Sequence, residues 1–261
     1  MSALSIITLS RNPCHMTRLL DRLDRQTDPP PYDAILVNND HRSVGLTVDT
    51  LRRGWLVIEP GYNTSFSVGN NMAARAVEGE WLLLLNDDLV LHDSRFLATL
   101  WQAREKAEIL GALLLHADGT VNHAGTTVST GRGAALGRTD HIGRGAPALG
   151  FYQRSCYVPS VTFAAALIKR DLWDRLGGLD ERYYYGWEDT DFCLRALREG
   201  ARIWCERGAV ATHDECGTRP RGGRHDAQNA STFISTWQAI LPDLLDGYAR
   251  RMLGQPLEGI A

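Results

Sequence analysis

The run Trp81–Asp93, WLLLLNDDLVLHD, sets the narrowest limit on what this chain can fold into. Four successive leucines, Leu82 to Leu85, leave no side for water at any regular spacing. A short run of that kind suits a strand buried on both faces, as in a parallel sheet covered by helices. Asn86, Asp87 and Asp88 end the run at once, and a second apolar stretch, Leu89–Leu91, follows. An uncompensated carboxylate in a core is very costly, so the polar triplet belongs where the strand leaves the sheet. Alone it reads as a turn, in which Asn and Asp bond nearby backbone. Carboxylate oxygens there also suit a hard cation, Mg2+ or Mn2+, that holds a diphosphate.

The flanking sequence extends the argument. Leu4–Ser10, YDAILVNND and WLVIEP read as further strands, each ending in polar or turn-forming residues. Met16, Leu19, Leu20 and Leu23 recur at helical spacing, and Ser67–Ala76 predicts a helix with Ser67 as its N-cap. Strands alternating with helices predict an α/β fold with a mostly parallel central sheet. Its ligand crevice lies beyond the carboxyl ends of the strands.

The second half has a different texture. GALLLHADGTVNHAGTTVST predicts two strands about a turn at Asp118-Gly119. Gly131–Gly150 holds six glycines without an apolar period, which predicts a mobile loop. TFAAALIKRDLWDRLGG reads as a strand and a short helix stopped by Gly177-Gly178. DTDFCLRALREG reads as a helix, and ARIWCERGAVATH as the closing strand segments. The stretch from Ser231 to Leu253 is amphipathic and broken at Pro242. Its apolar residues Phe233, Trp237, Leu241, Leu244, Leu245 and Tyr248 fit core packing better than a membrane surface.

Composition excludes more than it selects. A net charge of −3 gives no case for nucleic-acid binding. No apolar run approaches the ~20 residues of a membrane-spanning helix, and the first residues lack the basic start of a signal peptide. The five cysteines are widely spaced, with no CxxC pair; this argues against a disulfide scaffold or structural zinc and for reduced thiols in the cytoplasm.

A second acidic cluster follows an aromatic one. Tyr183 to Tyr185 and Trp187 precede Glu188, Asp189 and Asp191. Acids in a first helical turn are stabilised by the macrodipole and often need no other reason. Aromatic rings beside them also offer a face for a sugar, and partial desolvation makes a carboxylate a better general base. His213 ends the apolar AVAT run, and imidazole with carboxylate makes an acceptable Mn2+ site.

Taken in order, these residues resemble the family-2 glycosyltransferases of GT-A fold, most of all the bacterial rhamnosyltransferase-like branch. SIITLSRN is similar to the family's base-binding strand and loop. NTSFSVGNNMAARAVEGEWLLLLNDDLVL is similar to its Gly-Asn-Asn helix and DxD-type motif, and GGLDERYYYGWEDTDFCLRALREGARIWCERGAVATH to its ED motif and closing histidine. The resemblance implies a single domain over residues 1–261, with a nucleotide-sugar-binding half at 1–115. An acceptor-binding, catalytic half at 116–261 would carry a smaller mixed region and the C-terminal helices.

It further implies a Mn2+ or Mg2+ ion on Asp88 and His213, and Asp189 as general base. Thr8, Ser10, Asn38, Asp40, Asn70, Asn71, Asn86 and Asp87 would bind the nucleotide sugar. Tyr185, Trp187, Glu188 and Asp191 would face the acceptor, the last two orienting it or supporting the helix. Arg219, Arg221 and Arg224, in a Gly/Arg loop, would close over the diphosphate or remain a solvated loop. Two positions depart from the pattern: Asn38 stands where many relatives have aspartate, displacing the acid to Asp40, and Asn86 occupies the first DxD position.

The activity so implied is inverting transfer of a sugar from a UDP- or dTDP-sugar to a glycan or lipid-linked acceptor, in bacterial surface polysaccharide synthesis. It would take place in the cytoplasm, with peripheral membrane association left open. A catalytically silent binding relative and a nucleotidyltransferase are the alternatives. SRNPCH is a poor phosphate loop for the latter.

Overall fold

The computed structural model of the chain describes residues 2–40, 44–131, 136–213 and 224–254. Strand β1 (Leu4–Ser10) pairs in parallel with β2 (Tyr32–Asn38) on one side and β4 (Trp81–Leu85) on the other. Strand β3 (Leu56–Ile58) extends the parallel set beyond β2. Past β4 lies β11 (Ala165–Lys169), antiparallel to both β4 and β6 (Ile109–Leu115). Strand β12 (Ile203–His213) runs parallel to β6, and β10 (Cys156–Tyr157) closes that side. Two short strands join off this path: β5 (Leu89–Leu91) pairs β12, and β7 (Val121–His123) pairs β6. Strands β8 (Thr126–Val128) and β9 (Thr139–His141) form a separate ribbon.

The leucine run is explained by burial on both faces. Side chains alternate along a strand, so Leu82 and Leu84 enter one core and Leu83 and Leu85 the other. The first core is covered by α3 (Phe66–Ala76), α5 (Arg170–Leu176), α6 (Glu188–Arg198), α7 (Arg224–Trp237) and α8 (Leu241–Met252). The second is covered by α1 (Pro13–Leu23) and α4 (Phe96–Ala103), with Leu46 from α2 (Val44–Arg52). Each fully buried leucine contributes about 1.5–3 kcal/mol against the exposed chain. The mostly parallel sheet with helices on both faces is the architecture the sequence predicts.

The pairing directions place the ends that matter. Strands β1, β2, β4, β6 and β12 share one direction, so Ser10, Asn38, Leu85, Leu115 and His213 finish along one edge. Strand β11 runs the other way and begins at that edge, where the Asn86 amide donates to the Ala164 carbonyl at 2.8 Å. Its lead-in, Ser160–Ala164, is thereby delivered to the end of β4.

Some local expectations need correction. The N-cap of α3 is Ser65, which accepts from the Val68 amide at 3.2 Å; Ser67 is buried inside the helix. Gly131–Gly150 is not simply a loop, because Thr139–His141 pairs with Thr126–Val128. Gly177 does stop α5, at φ 74°, a left-handed cap that glycine takes without strain. At Gly69 a side-chain carbon would lie 2.5 Å from the Leu9 side chain, so only glycine lets α3 approach β1 this closely. Pro242 sits in the first turn of α8, separating it from α7. Phe233, Trp237 and Leu241 are buried, which assigns that apolar stripe to the core.

Candidate active site

Strand pairing brings Asp88 and His213 together. In the antiparallel β5–β12 ladder His213 lies opposite Leu89, the residue after Asp88. His213 Nε2 is 3.3 Å from Asp88 Oδ1, an oxygen that is buried and has no hydrogen-bond partner among the described residues. A buried acceptor left in that condition is costly. A carboxylate oxygen and an imidazole nitrogen converging this way fit two ligand positions of a divalent cation that draws the rest from phosphate and water. Among the described residues no third His, Cys, Asp or Glu joins them.

Asp87 is held differently. The Ser10 hydroxyl, at the end of β1, donates to Asp87 Oδ2 at 2.5 Å. Burial raises the Asp87 pKa to about 6; the Ser10 hydrogen bond opposes this and the Asp88 charge adds to it. Asn86 is half-buried at the end of β4, with its amide tied to Ala164. Thr8 is fully buried within β1.

Other predicted donor-side residues have internal tasks. Asn38 Nδ2 donates to Thr47 Oγ1 at 3.0 Å and Glu59 Oε1 at 3.3 Å, and Asn38 Oδ1 accepts from the Asp40 amide at 3.0 Å. Asn70 donates to the Phe66 carbonyl at 2.8 Å. Asn71 is buried and joins α3 to the Leu179 backbone in both directions and to Glu181. Glu59, which the sequence reading passed over, shares the end of β3 with the Asn38–Thr47 pair.

The second acidic cluster opens α6. Asp191 does not reach the surface. Its oxygens accept from Arg195 Nε at 2.8 Å, Trp237 Nε1 at 2.9 Å and the Tyr183 hydroxyl at 3.4 Å. Glu188 is buried at the helix start. Asp189 keeps part of its surface exposed. Burial pushes its carboxyl above the ordinary range, opposed by the Thr190 amide at 2.7 Å, the charge of His141, the Phe163 amide and the Thr162 hydroxyl.

The aromatic lead-in is tied down by α7. Trp187 takes φ 78°, rare for a bulky residue, and its ring centroid lies 4.6 Å from that of Phe233. Asn229 Nδ2 donates to the carbonyls of Tyr185 and Gly186 at 2.7 and 3.2 Å, and Asn229 Oδ1 accepts from the Tyr184 amide. The Tyr185 hydroxyl donates to the Thr64 carbonyl at 3.3 Å. Arg219 and Arg221 lie outside the described residues; Arg224 is the first residue of α7.

Cys14, Cys156, Cys193 and Cys205 are free thiols, and burial pushes Cys193 and Cys205 up to about 12, far from nucleophilic. His123, His141 and Thr162, missed in the sequence, gather beside Asp189. The histidines stood in a stretch read only as strand and glycine loop.

No family model matches the chain. The O-antigen biosynthesis protein RfbC of Myxococcus xanthus is 30% identical over 246 residues, covering 91% of this chain and 19% of that protein. An uncharacterized protein, y4gI of Sinorhizobium fredii, is 27% identical over 154 residues, 58% of this chain and 17% of that one. The chain thus spans under a fifth of the length of these curated relatives.

Among solved structures, GalNAc-T7 with UDP, GalNAc and Mn2+ superposes with a TM-score of 0.71 at 13% identity, over 100% of this chain and 53% of that one. The mannosyltransferase PcManGT of Pyrobaculum calidifontis, in complex with GDP-Man and Mn2+, gives 0.59 at 16% identity, over 90% and 64%. S. aureus TarS with UDP gives 0.55 at 18% identity, over 81% and 60%. These likenesses establish the fold, that of the GT-A glycosyltransferases. Among the described residues no helix is long and apolar enough to cross a membrane.

Proposed function

We propose that this chain is an inverting, metal-dependent glycosyltransferase. It moves a sugar from a UDP- or dTDP-sugar to a hydroxyl of a glycan or lipid-linked acceptor, in surface polysaccharide synthesis at the cytoplasmic face of the membrane. The observation that carries the reading is the meeting of Asp88 and His213 across β5 and β12, at the edge where the parallel strands end. Nucleotide-bound relatives of the same fold and the RfbC match support it.

Asp88 and His213 would hold Mn2+ or Mg2+, which supplies positive charge beside the departing diphosphate. Ser10 fixes Asp87 next to them, where a carboxyl with pKa about 6 can meet ribose or phosphate without a full second negative charge. Asp189 takes the proton of the acceptor hydroxyl. The acceptor oxygen bonds to the anomeric carbon from the face opposite the phosphate, and the nucleoside diphosphate leaves with the electrons of the broken C–O bond. The raised pKa of Asp189 makes it a stronger base than an exposed aspartate.

The test is release of nucleoside diphosphate from UDP-, dTDP- and GDP-sugars with Mn2+. The reading expects one donor class to be hydrolysed slowly in the absence of acceptor, with EDTA stopping the release. Binding of a donor with no release in any metal would instead mark a silent binding relative.

A further inference from the structure

The histidine pair beside Asp189 has a geometry that packing alone does not explain. His123 is fully buried at the end of β7, opposite Leu114 of β6. Its Nε2 accepts the Thr162 amide hydrogen at 3.2 Å. A ring nitrogen that accepts from an amide carries no proton, so neutral His123 holds its hydrogen on Nδ1. That Nδ1 is buried with no hydrogen-bond partner among the described residues. Leucine would fill the same volume without burying an unmatched donor. What the imidazole offers that leucine cannot is the acceptor at Nε2.

What Nε2 holds is the segment that lies beside Asp189. The Thr162 hydroxyl and the next amide, Phe163, lie beside the Asp189 carboxylate and favour its ionised form, and the Thr190 amide donates to it at 2.7 Å. Thr162 therefore faces two ways: its backbone meets His123 and its side chain meets Asp189. The reversed direction of β11 makes this reach possible, since only a strand beginning at this edge brings its lead-in here. His141 braces the ring from the side, with centroids 4.7 Å apart at 84°. His141 Nδ1 in turn donates to the Asn122 carbonyl at 3.1 Å.

We propose that His123 is a positioning residue for Asp189: its ring fixes the Thr162–Phe163 peptide, which aims the carboxylate at the acceptor hydroxyl. This rests on the reading of Asp189 as the base. A carboxylate aimed by hydrogen bonds from a pinned segment loses little rotational freedom on reaction, which is how supporting groups serve a base.

The experiment is a 13C NMR titration of the Asp189 carboxyl in the metal-free protein, its resonance assigned by its absence in Asp189→Asn. Thr162→Val removes one donor to the ionised form and should raise the midpoint by about 0.7 of a pH unit. His123→Met, which leaves the Thr162 amide unheld, should raise it by a similar amount, whereas His123→Gln, which keeps an acceptor, should restore most of the native value. Thermal unfolding of each variant confirms that it is folded. Should His123→Met not fold, 15N spectra of the unsubstituted protein decide: His123 must read as the Nδ1–H tautomer from pH 5 to pH 8.

A His123→Met midpoint equal to the native one, or protonation of His123 within that range, would overturn the proposal. Native nucleotide release and transfer by Asp189→Asn would remove the base reading instead, whatever the titrations of the His123 variants show.

Discussion

The two acidic clusters look alike on paper, and the fold treats them in opposite ways. Asp87 and Asp88 leave a strand one after the other, and each meets one main partner, Ser10 or His213. Glu188, Asp189 and Asp191 sit on one helical turn, where successive residues are about 100° apart. Glu188 and Asp191 therefore share a face and are buried, while Asp189 is rotated away and keeps access to solvent. The strand end presents its acids together; the helix separates two buried acids from one that is only partly buried.

The sharpest way to break this contrast is to exchange the roles by substitution. Asp189→Asn should lower kcat by about a thousandfold, the range of a lost general base, while donor affinity stays near native. A fall in affinity alone would put Asp189 on the donor side. Asp191→Ala should do the reverse. It takes the acceptor from Arg195 Nε and the Trp237 indole and should cost about 3 kcal/mol in urea unfolding. A stability loss for Asp189→Asn as large as that for Asp191→Ala would erase the distinction.

A smaller effect separates the members of the first cluster. The Asp87 pKa, about 6 in the folded chain, lies above the ordinary value near 3.9 expected once unfolded. Between roughly pH 4 and pH 6 the folded state binds more protons, so stability falls as pH rises through that window. The loss should reach roughly 3 kcal/mol by pH 7 in metal-free protein, and Asp87→Asn should flatten it. An unchanged slope in urea melts at pH 4.5 and pH 7 would mean another group titrates. Smallest of all, Ser10→Ala should raise the Asp87 midpoint further and cost about 1 kcal/mol at pH 7, where the hydrogen bond to the ionised form counts most.

Much of this frame was legible in the residues. The leucine run could only be a doubly covered strand, and the polar residues after it had to lie at its exit. The Asp88–His213 encounter was reachable only through the resemblance, because 125 residues separate them and an antiparallel strand pairing brings them together. The structural work of Asn71 and Asp191 was hidden, since asparagine and aspartate look the same whether they meet a ligand or a distant backbone. His123 and Thr162 were invisible for a related reason: each acts through a β11 lead-in whose reversed direction no local pattern announces.

The central claim, that the Asp88–His213 edge receives a nucleotide through a divalent cation, is tested most directly by thermal unfolding with UDP, dTDP or GDP in the presence and absence of Mn2+. The account predicts that at least one nucleotide raises the Tm only when Mn2+ is present, because a ligand stabilises the folded state it binds. It predicts further that Asp88→Asn and His213→Ala each abolish that rise while remaining folded. An equal rise in these variants, or one that does not depend on Mn2+, would contradict it.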